Sequence, residues 1–337
     1  MSELTLKNCI NKRSTILSFV KWVAAIGVIV SHAFPLSQGA NSTDWIAVIS
    51  GNSIGIGGIS VFIFLFSSGL LVSKSAEKTG SWKKYMTQRC NRIFPKLVFV
   101  ILLSILIGGF ISSLNIFEYF TSISTYVYLL NCILIPIHSL PGVFTNNIYP
   151  NVVNGPLWTL PIEFICYISL FYCIKKKKVY DHISHTLIFF FLGIFLIYII
   201  KIPFLYSLRG YFLPFFAFYE GALFYRYKEK IKLNKFLALL SILAFICSIF
   251  LKCADLGILF FFAYPFVTMI YLGDISDKLS KLGNISYEIY LVGWPIQQIV
   301  TFCFSGIINP YLNMFISIPL SMVMAIIINK IFCILKK

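Results

Sequence analysis

Ten apolar runs, each near the roughly 20 residues that a helix needs to cross a bilayer core, divide this chain at 16–36, 54–72, 97–116, 157–174, 183–200, 211–227, 236–251, 256–272, 285–304 and 312–335. Within hydrocarbon a segment must satisfy its own peptide groups, which leaves the α-helix as the reading for runs of this length. The fold class predicted is therefore all-α, a polytopic membrane helix bundle of about ten transmembrane helices. Composition agrees, since 58% of the 337 residues are hydrophobic and 12% charged, with a mean hydropathy of +0.86, far too apolar for a soluble globule. The first run carries a central His32, has no small-residue cleavage pattern after it and is followed by further spans, so it reads as a span and not as a cleaved signal.

Basic residues orient the bundle. With both termini cytoplasmic, the inner segments hold 24 of the 28 Lys and Arg, and the outer segments hold Lys201, Arg209 and Lys252. Lys21, inside the first run, completes the set. This asymmetry satisfies the positive-inside rule. The formal net charge of +16 is then topology and contact with membrane lipids, and no nucleic-acid partner is expected.

The same bookkeeping resolves Thr121 to Val143, a stretch apolar enough for an eleventh crossing. Counting it would place Lys175, Lys176, Lys177 and Lys178 on the outer face. Residues 117–156 are therefore read as an outer, partly membrane-embedded loop. Its Pro136, Pro141, Pro150 and Pro156, with Asn146, Asn147, Asn151 and Asn154, suit irregular backbone lining a cavity. No linker, repeat or appended soluble domain is evident, so residues 1–337 are expected to form one integral-membrane domain. The nine Cys lack metal-ligand spacing, and no metal is expected.

Ionisable groups in a membrane segment are costly, which makes each a functional candidate. They are Lys21, His32, Glu163, Glu220 and Glu288. His32 falls about four residues, or about 6 Å, from the outer end of its run, and Glu163 about six residues, or about 9 Å, from the outer end of its own. At a shared depth the carboxylate would orient or charge-stabilise the imidazole, as a general base requires. The competing reading makes His32 a packing contact near the headgroups and Glu163 an interhelical hydrogen-bond residue.

On the inner side, Arg89 and Arg92 are three residues apart, on one helix face, with Lys96 just past Pro95. Two forked guanidinium groups suit bidentate phosphate binding. An anchor to anionic headgroups is the alternative. Glu220, in FFAFYEGALFYRY, is divided between site wall and structural hydrogen bond. Glu288 is expected at the inner face near Lys278 or Lys281, His138 is a weaker acceptor-site candidate, and His182 and His185 read as solvated residues of a basic inner loop.

Across the whole chain these patterns resemble the membrane acyltransferase family 3, whose members include O-acetyltransferases of bacterial surface polysaccharides and Nod-factor acetylases. A basic residue with His after ten intervening positions is matched by Lys21 and His32, and a glycine-led run ending in Ser-Gly by GGISVFIFLFSSGLL at 57–71. Arg89, Arg92, Ile93 and Pro95 fit an R-x-x-R motif followed by Ile and Pro, WTLPIE at 158–163 a Trp-Thr-Leu-x-x-Glu signature, and GNISYEIYL at 283–291 the late Gly-x-Ser-Tyr pattern. Two positions depart. Lys21 stands where the family usually has Arg, and Gly293, Trp294, Pro295, Gln297 and Gln298 occupy the region where many members carry a second His.

The resemblance implies acetyl-CoA as acyl donor, with Lys21, Arg89 and Arg92 on its phosphates. It implies as acceptor a sugar hydroxyl of a lipid-linked or surface polysaccharide, and a bacterial cytoplasmic (inner) membrane location. His32 would then be general base or transient acyl carrier, with Glu163 its orienting partner. Trp158, Ser67, Ser68 or a Tyr hydroxyl would serve the oxyanion, with Glu220 at the site wall. A transporter, flippase or polymerase of lipid-linked glycans is the alternative class.

Overall fold

The computed structural model describes residues 4–10, 14–176 and 209–335. Among them, helices occupy nine of the ten apolar runs. They are α1 Thr15–Gln38, α2 Ile56–Thr79, α3 Trp82–Ile111, α4 Pro156–Lys175, α5 Arg209–Arg226, α6 Lys235–Phe250, α7 Ala254–Leu272, α8 Ser286–Cys303 and α9 Pro310–Ile334. The run at 183–200 lies outside the described residues, as do Lys177, Lys178, His182, His185 and Lys201. No strand is present among the described residues, and six helices are long and apolar enough to cross a membrane. The protein is thus a helical membrane protein.

Local chemistry fixes the helix ends. The Ser14 hydroxyl accepts from Leu17 N at 3.0 Å, Asn234 accepts from Phe236 N at 2.8 Å, and Asn309 accepts from Tyr311 N at 2.9 Å ahead of Pro310. Asp44 caps the short helix Trp45–Ile49 through Ala47 N at 3.1 Å. The same carboxylate receives Ile56 N at 3.0 Å and the Ser31 hydroxyl at 2.6 Å, which ties α1 to the start of α2.

Small residues set the helix contacts, as expected where lipid offers no hydrophobic drive between helices. The most extensive interface joins α2 to α5. A Cβ at Gly69 would lie 1.8 Å from the Phe218 carbonyl oxygen, and one at Gly221 would lie 2.1 Å from that of Phe66. Neither backbone could approach the other past a side chain. Gly283 likewise sits where a Cβ would come within 2.0 Å of the Ser18 carbonyl oxygen, bringing the entry to α8 onto α1.

Basic segments far apart in sequence meet at one end of the bundle. Leu6 N donates to Ile231 O and Leu233 N to Leu4 O, both at 2.9 Å, and Lys74 Nζ donates to Ile10 O at 2.8 Å. Lys7 pairs with Glu229 at 2.8 Å, and Lys228 with Glu77 at 3.3 Å.

Residues 112–155 hold only short helical pieces, the longest apolar one Ile123–Ile133, which is too short to cross a bilayer. The stretch that follows folds against α8. Asn147 Nδ2 donates to Gln298 Oε1 at 2.8 Å, and Gln298 Nε2 returns bonds to Tyr149 O and Val152 O at 2.8 Å. Asn154 Nδ2 reaches Leu291 O at 2.9 Å, and Trp294 Nε1 donates to Val152 O at 3.0 Å. Gly306, at φ +88°, closes the other side, with its carbonyl accepting from Ile148 N at 3.0 Å. Irregular backbone held in this way is covered by protein, the condition for its survival at membrane depth.

The α2–α5 contact yields a direct check. Gly221→Val should destabilise the protein by at least about 1–3 kcal/mol through overpacking, read as a lower melting temperature and reduced monodisperse yield in detergent.

Candidate active site

The site is built around three cavities in series. A chamber of about 510 Å³ is lined by His32 of α1, Gly58 and Val61 of α2, Trp158 and Thr159 of α4, and Tyr290 of α8. Val61, Thr159 and Tyr290 also line a smaller cavity of about 50 Å³, where Lys21, Arg92 and Glu163 converge. His32, Gly55 and Gly58 are shared with a third space of about 350 Å³ bordered by Ser31, Asp44, Tyr149 and Trp294. The histidine therefore stands between the chamber and the third space, and the charged cluster lies at the chamber's opposite end.

His32 sits edge-on to Trp294, with ring centroids 4.9 Å apart and planes at 74°. Its Nδ1 is buried and has no hydrogen-bond partner among the described residues. Helix α8 fixes the neighbouring turn of α1. Gln297 Nε2 donates to Ile29 O at 2.9 Å, and Gly293 lets the helices close so far that a Cβ would come within 2.8 Å of Ile29.

Glu163 does not orient His32, contrary to the sequence expectation. Its Oε1 accepts from the Ser68 hydroxyl at 2.8 Å and from the Tyr167 hydroxyl, and faces Arg92 Nη2 at 3.9 Å. Counting residues from each helix end assumed that both ends lie level. The loop before α4 instead folds into the bundle, so Pro156, Trp158 and Thr159 already share the chamber with His32 and Glu163 is carried deeper, beside Lys21.

Other expected residues separate clearly. Lys21, Arg92 and Glu163 line one cavity. Arg89 stacks its guanidinium over the Tyr167 and Tyr85 rings at 5.8 and 5.9 Å, and its buried Nε has no partner among the described residues. Trp158 lines the chamber. Ser67 does not act there, because its hydroxyl is bonded to Ile63 O within α2 at 2.5 Å. Ser68, one residue on and about 100° around the helix, turns to Glu163 and Tyr167. Neither serine lines the chamber of His32. Glu220 lines none of the three cavities among the described residues, and its Oε2 is buried without a partner there. His138 is held by Asn154 O at 3.3 Å and does not line them either.

Glu288 is also corrected. Expected beside Lys278 or Lys281, it is fully buried and paired with Lys96 of α3, while the adjacent Tyr287 hydroxyl donates to Ile93 O at 3.0 Å. Lys96 is thereby committed to a structural pair. The residues missed by sequence reasoning are Thr159 and Tyr290. Their hydroxyls meet at 2.5 Å, and Tyr290 OH donates to Pro156 O at 2.6 Å. Both stand inside quoted motifs, and the signal lay in two hydroxyls flanked by apolar neighbours.

The helical membrane bundle thus sets a cavity lined by Lys21 and Arg92 against a chamber lined by His32. The chain belongs to the acyltransferase family 3, matching its acyltransferase domain over residues 15–332, and it is an acyltransferase. It is also 30% identical over 301 residues to the O-acetyl transferase of Shigella phage Sf6, covering 86% of each chain. No solved structure matches it.

The Lys96–Glu288 pair supplies a stability test. Glu288→Ala leaves a stranded lysine and should cost about 3–5 kcal/mol, whereas the double variant Lys96→Met, Glu288→Leu should recover most of that; thermal melts in detergent measure both.

Proposed function

We propose that the protein transfers an acetyl group from acetyl-CoA to a hydroxyl of a surface-glycan sugar in the bacterial cytoplasmic membrane, with His32 as general base. The observation that carries this reading is the wall that the two cavities share at Val61, Thr159 and Tyr290, which sets the Lys21–Arg92 cluster beside the chamber of His32. Sidedness follows from charge, because the basic segments that meet at one end of the bundle belong in the cytoplasm, where acetyl-CoA is made. The nucleotide phosphates would bind at Arg89 and Arg92, with Lys21 nearby. Lys21 and His32 are eleven residues apart on α1, about 16 Å, a span suited to the extended pantetheine arm.

His32 takes the proton from the acceptor hydroxyl as its oxygen attacks the thioester carbon. The Thr159 and Tyr290 hydroxyls, which line the chamber, serve as donors to the resulting oxyanion. Collapse breaks the carbon–sulfur bond, and the leaving CoA thiolate recovers the proton from the imidazolium. Among the described residues no carboxylate bonds to Nδ1, so the ring's orientation rests on its packing against Trp294. Glu163 acts in the other compartment, balancing the charge of Arg92 and Lys21 when no anion is bound.

Expression with a glycan pathway, followed by mild-base release of O-acetyl groups, tests this. His32→Ala, at proven expression, should reduce acetylation at least about 10²-fold. Arg92→Ala should chiefly raise the KM for acetyl-CoA. Unchanged acetylation in His32→Ala would refute the assignment, and a labelled acetyl group trapped on His32 in the absence of acceptor would replace the base by a covalent relay.

A further inference from the structure

The geometry points to the third space, between Trp294, Tyr149 and Asp44, as the acceptor subsite, shaped for an uncharged sugar ring. The inference rests on the acetyl-transfer reading and adds where the acceptor sits and which acceptors are refused. The order of the cavities argues for it. The charged cavity and the chamber share Val61, Thr159 and Tyr290, so a donor arm anchored at Arg92 enters the chamber from that end. The third space shares no lining residue with the charged cavity and meets the chamber only at His32, Gly55 and Gly58. Two of these residues have no side chain, which leaves His32 as the one side chain on the shared wall. A base that deprotonates one reactant for attack on the other belongs at that junction.

The lining chemistry defines the ligand class. Tyr149 and Trp294 meet edge to face at 5.4 Å, and the indole is pinned by Val152 O and by Gly155, whose absent Cβ would lie 3.0 Å from it. Rigid aromatic surfaces of this kind accept the apolar face of a ring, while Ser42 and Thr43 supply hydroxyls at the rim. Ser42 bonds Gln38 at 2.6 Å and Thr43 bonds Asn52 at 3.2 Å, so the rim is held in place. No Lys or Arg lines this space among the described residues, and its carboxylate, Asp44, is held by Ser31, Ala47 N and Ile56 N. A fixed negative charge without a compensating cation repels uronic or sialic carboxylates and tolerates neutral hexoses and deoxyhexoses.

Full-length protein in detergent, supplied with radiolabelled acetyl-CoA and p-nitrophenyl glycosides of a neutral hexose, a neutral deoxyhexose and a hexuronic acid, tests the inference. Neutral glycosides should be acetylated in preference to the uronide. Tyr149→Ala should raise the acceptor KM about tenfold without a matching rise in the KM for acetyl-CoA, and Tyr149→Phe should restore it. Thr43→Trp, which fills the space from an exposed position, should act in the same direction and guards against misfolding of the first variant. Preference for the uronide, or an unchanged acceptor KM in both Tyr149→Ala and Thr43→Trp, overturns the subsite. Wild-type release of CoA with no acetylated glycoside also overturns it while sparing the acetyl-CoA reading, whereas absence of both CoA release and product overturns that reading itself.

Discussion

Irregular backbone can lie inside a membrane bundle only where protein takes up its peptide groups, and helix α8 meets that requirement for the stretch before α4. Gln298, Asn147, Asn154 and Trp294 together bind the carbonyls of Tyr149, Val152 and Leu291 and the side chains between them. Much else depends on this clasp. It sets the level at which α4 begins and brings Trp158 and Thr159 to the chamber. It also holds the indole against which His32 packs. An unsatisfied peptide group in hydrocarbon costs several kcal/mol, so polar side chains on α8 are a structural necessity before they are anything else.

Charge is distributed by the same economy of burial. Three cations of α3 have partners: Arg92 faces Glu163, Arg89 lies over two tyrosine rings, and Lys96 is bound to Glu288. These partners differ in what they leave available. The Arg92–Glu163 separation of 3.9 Å is loose, and the Arg89 Nε has no partner among the described residues. Lys96 is held by a carboxylate that is itself fully buried, and is consumed by the fold. Three basic residues within eight positions of one helix therefore differ in how they are held: Lys96 in a buried ion pair, Arg89 and Arg92 more loosely.

The spans were legible because hydrocarbon thickness imposes a length that apolar runs must meet. Lys21 and Glu163 were each legible as candidates because an ionisable group in an apolar run is conspicuous, and Arg92 through its spacing from Arg89. Their pairing was not. The depth of Glu163 depends on how far the preceding loop sinks into the bundle, a tertiary fact set by Asn147, Asn154 and Gln298 and carried by no periodicity. Ser67 and Ser68 illustrate a finer limit, since one step of about 100° around α2 sends one hydroxyl to its own helix and the other to Glu163. Trp294 was noticed only as a missing histidine, because an aromatic ring in a membrane helix reads as packing until its neighbour is known.

The Thr159–Tyr290 pair completes the physical picture. Their hydroxyls close on each other at 2.5 Å on the wall shared by the charged cavity and the chamber, with Tyr290 also bonded to Pro156 O. In the proposed acetyl transfer a donor arm running from Arg92 to His32 would pass this pair, and its thioester oxygen would offer an acceptor in place of those the hydroxyls now use, Tyr290 for Thr159 and Pro156 O for Tyr290. Exchange of one hydrogen bond for another keeps the net cost small, since folding and binding both trade partners. On that reading the two hydroxyls on the wall between the cavities would also polarise the carbonyl, so that the wall and the stabilisation of the transition state would fall to the same two side chains.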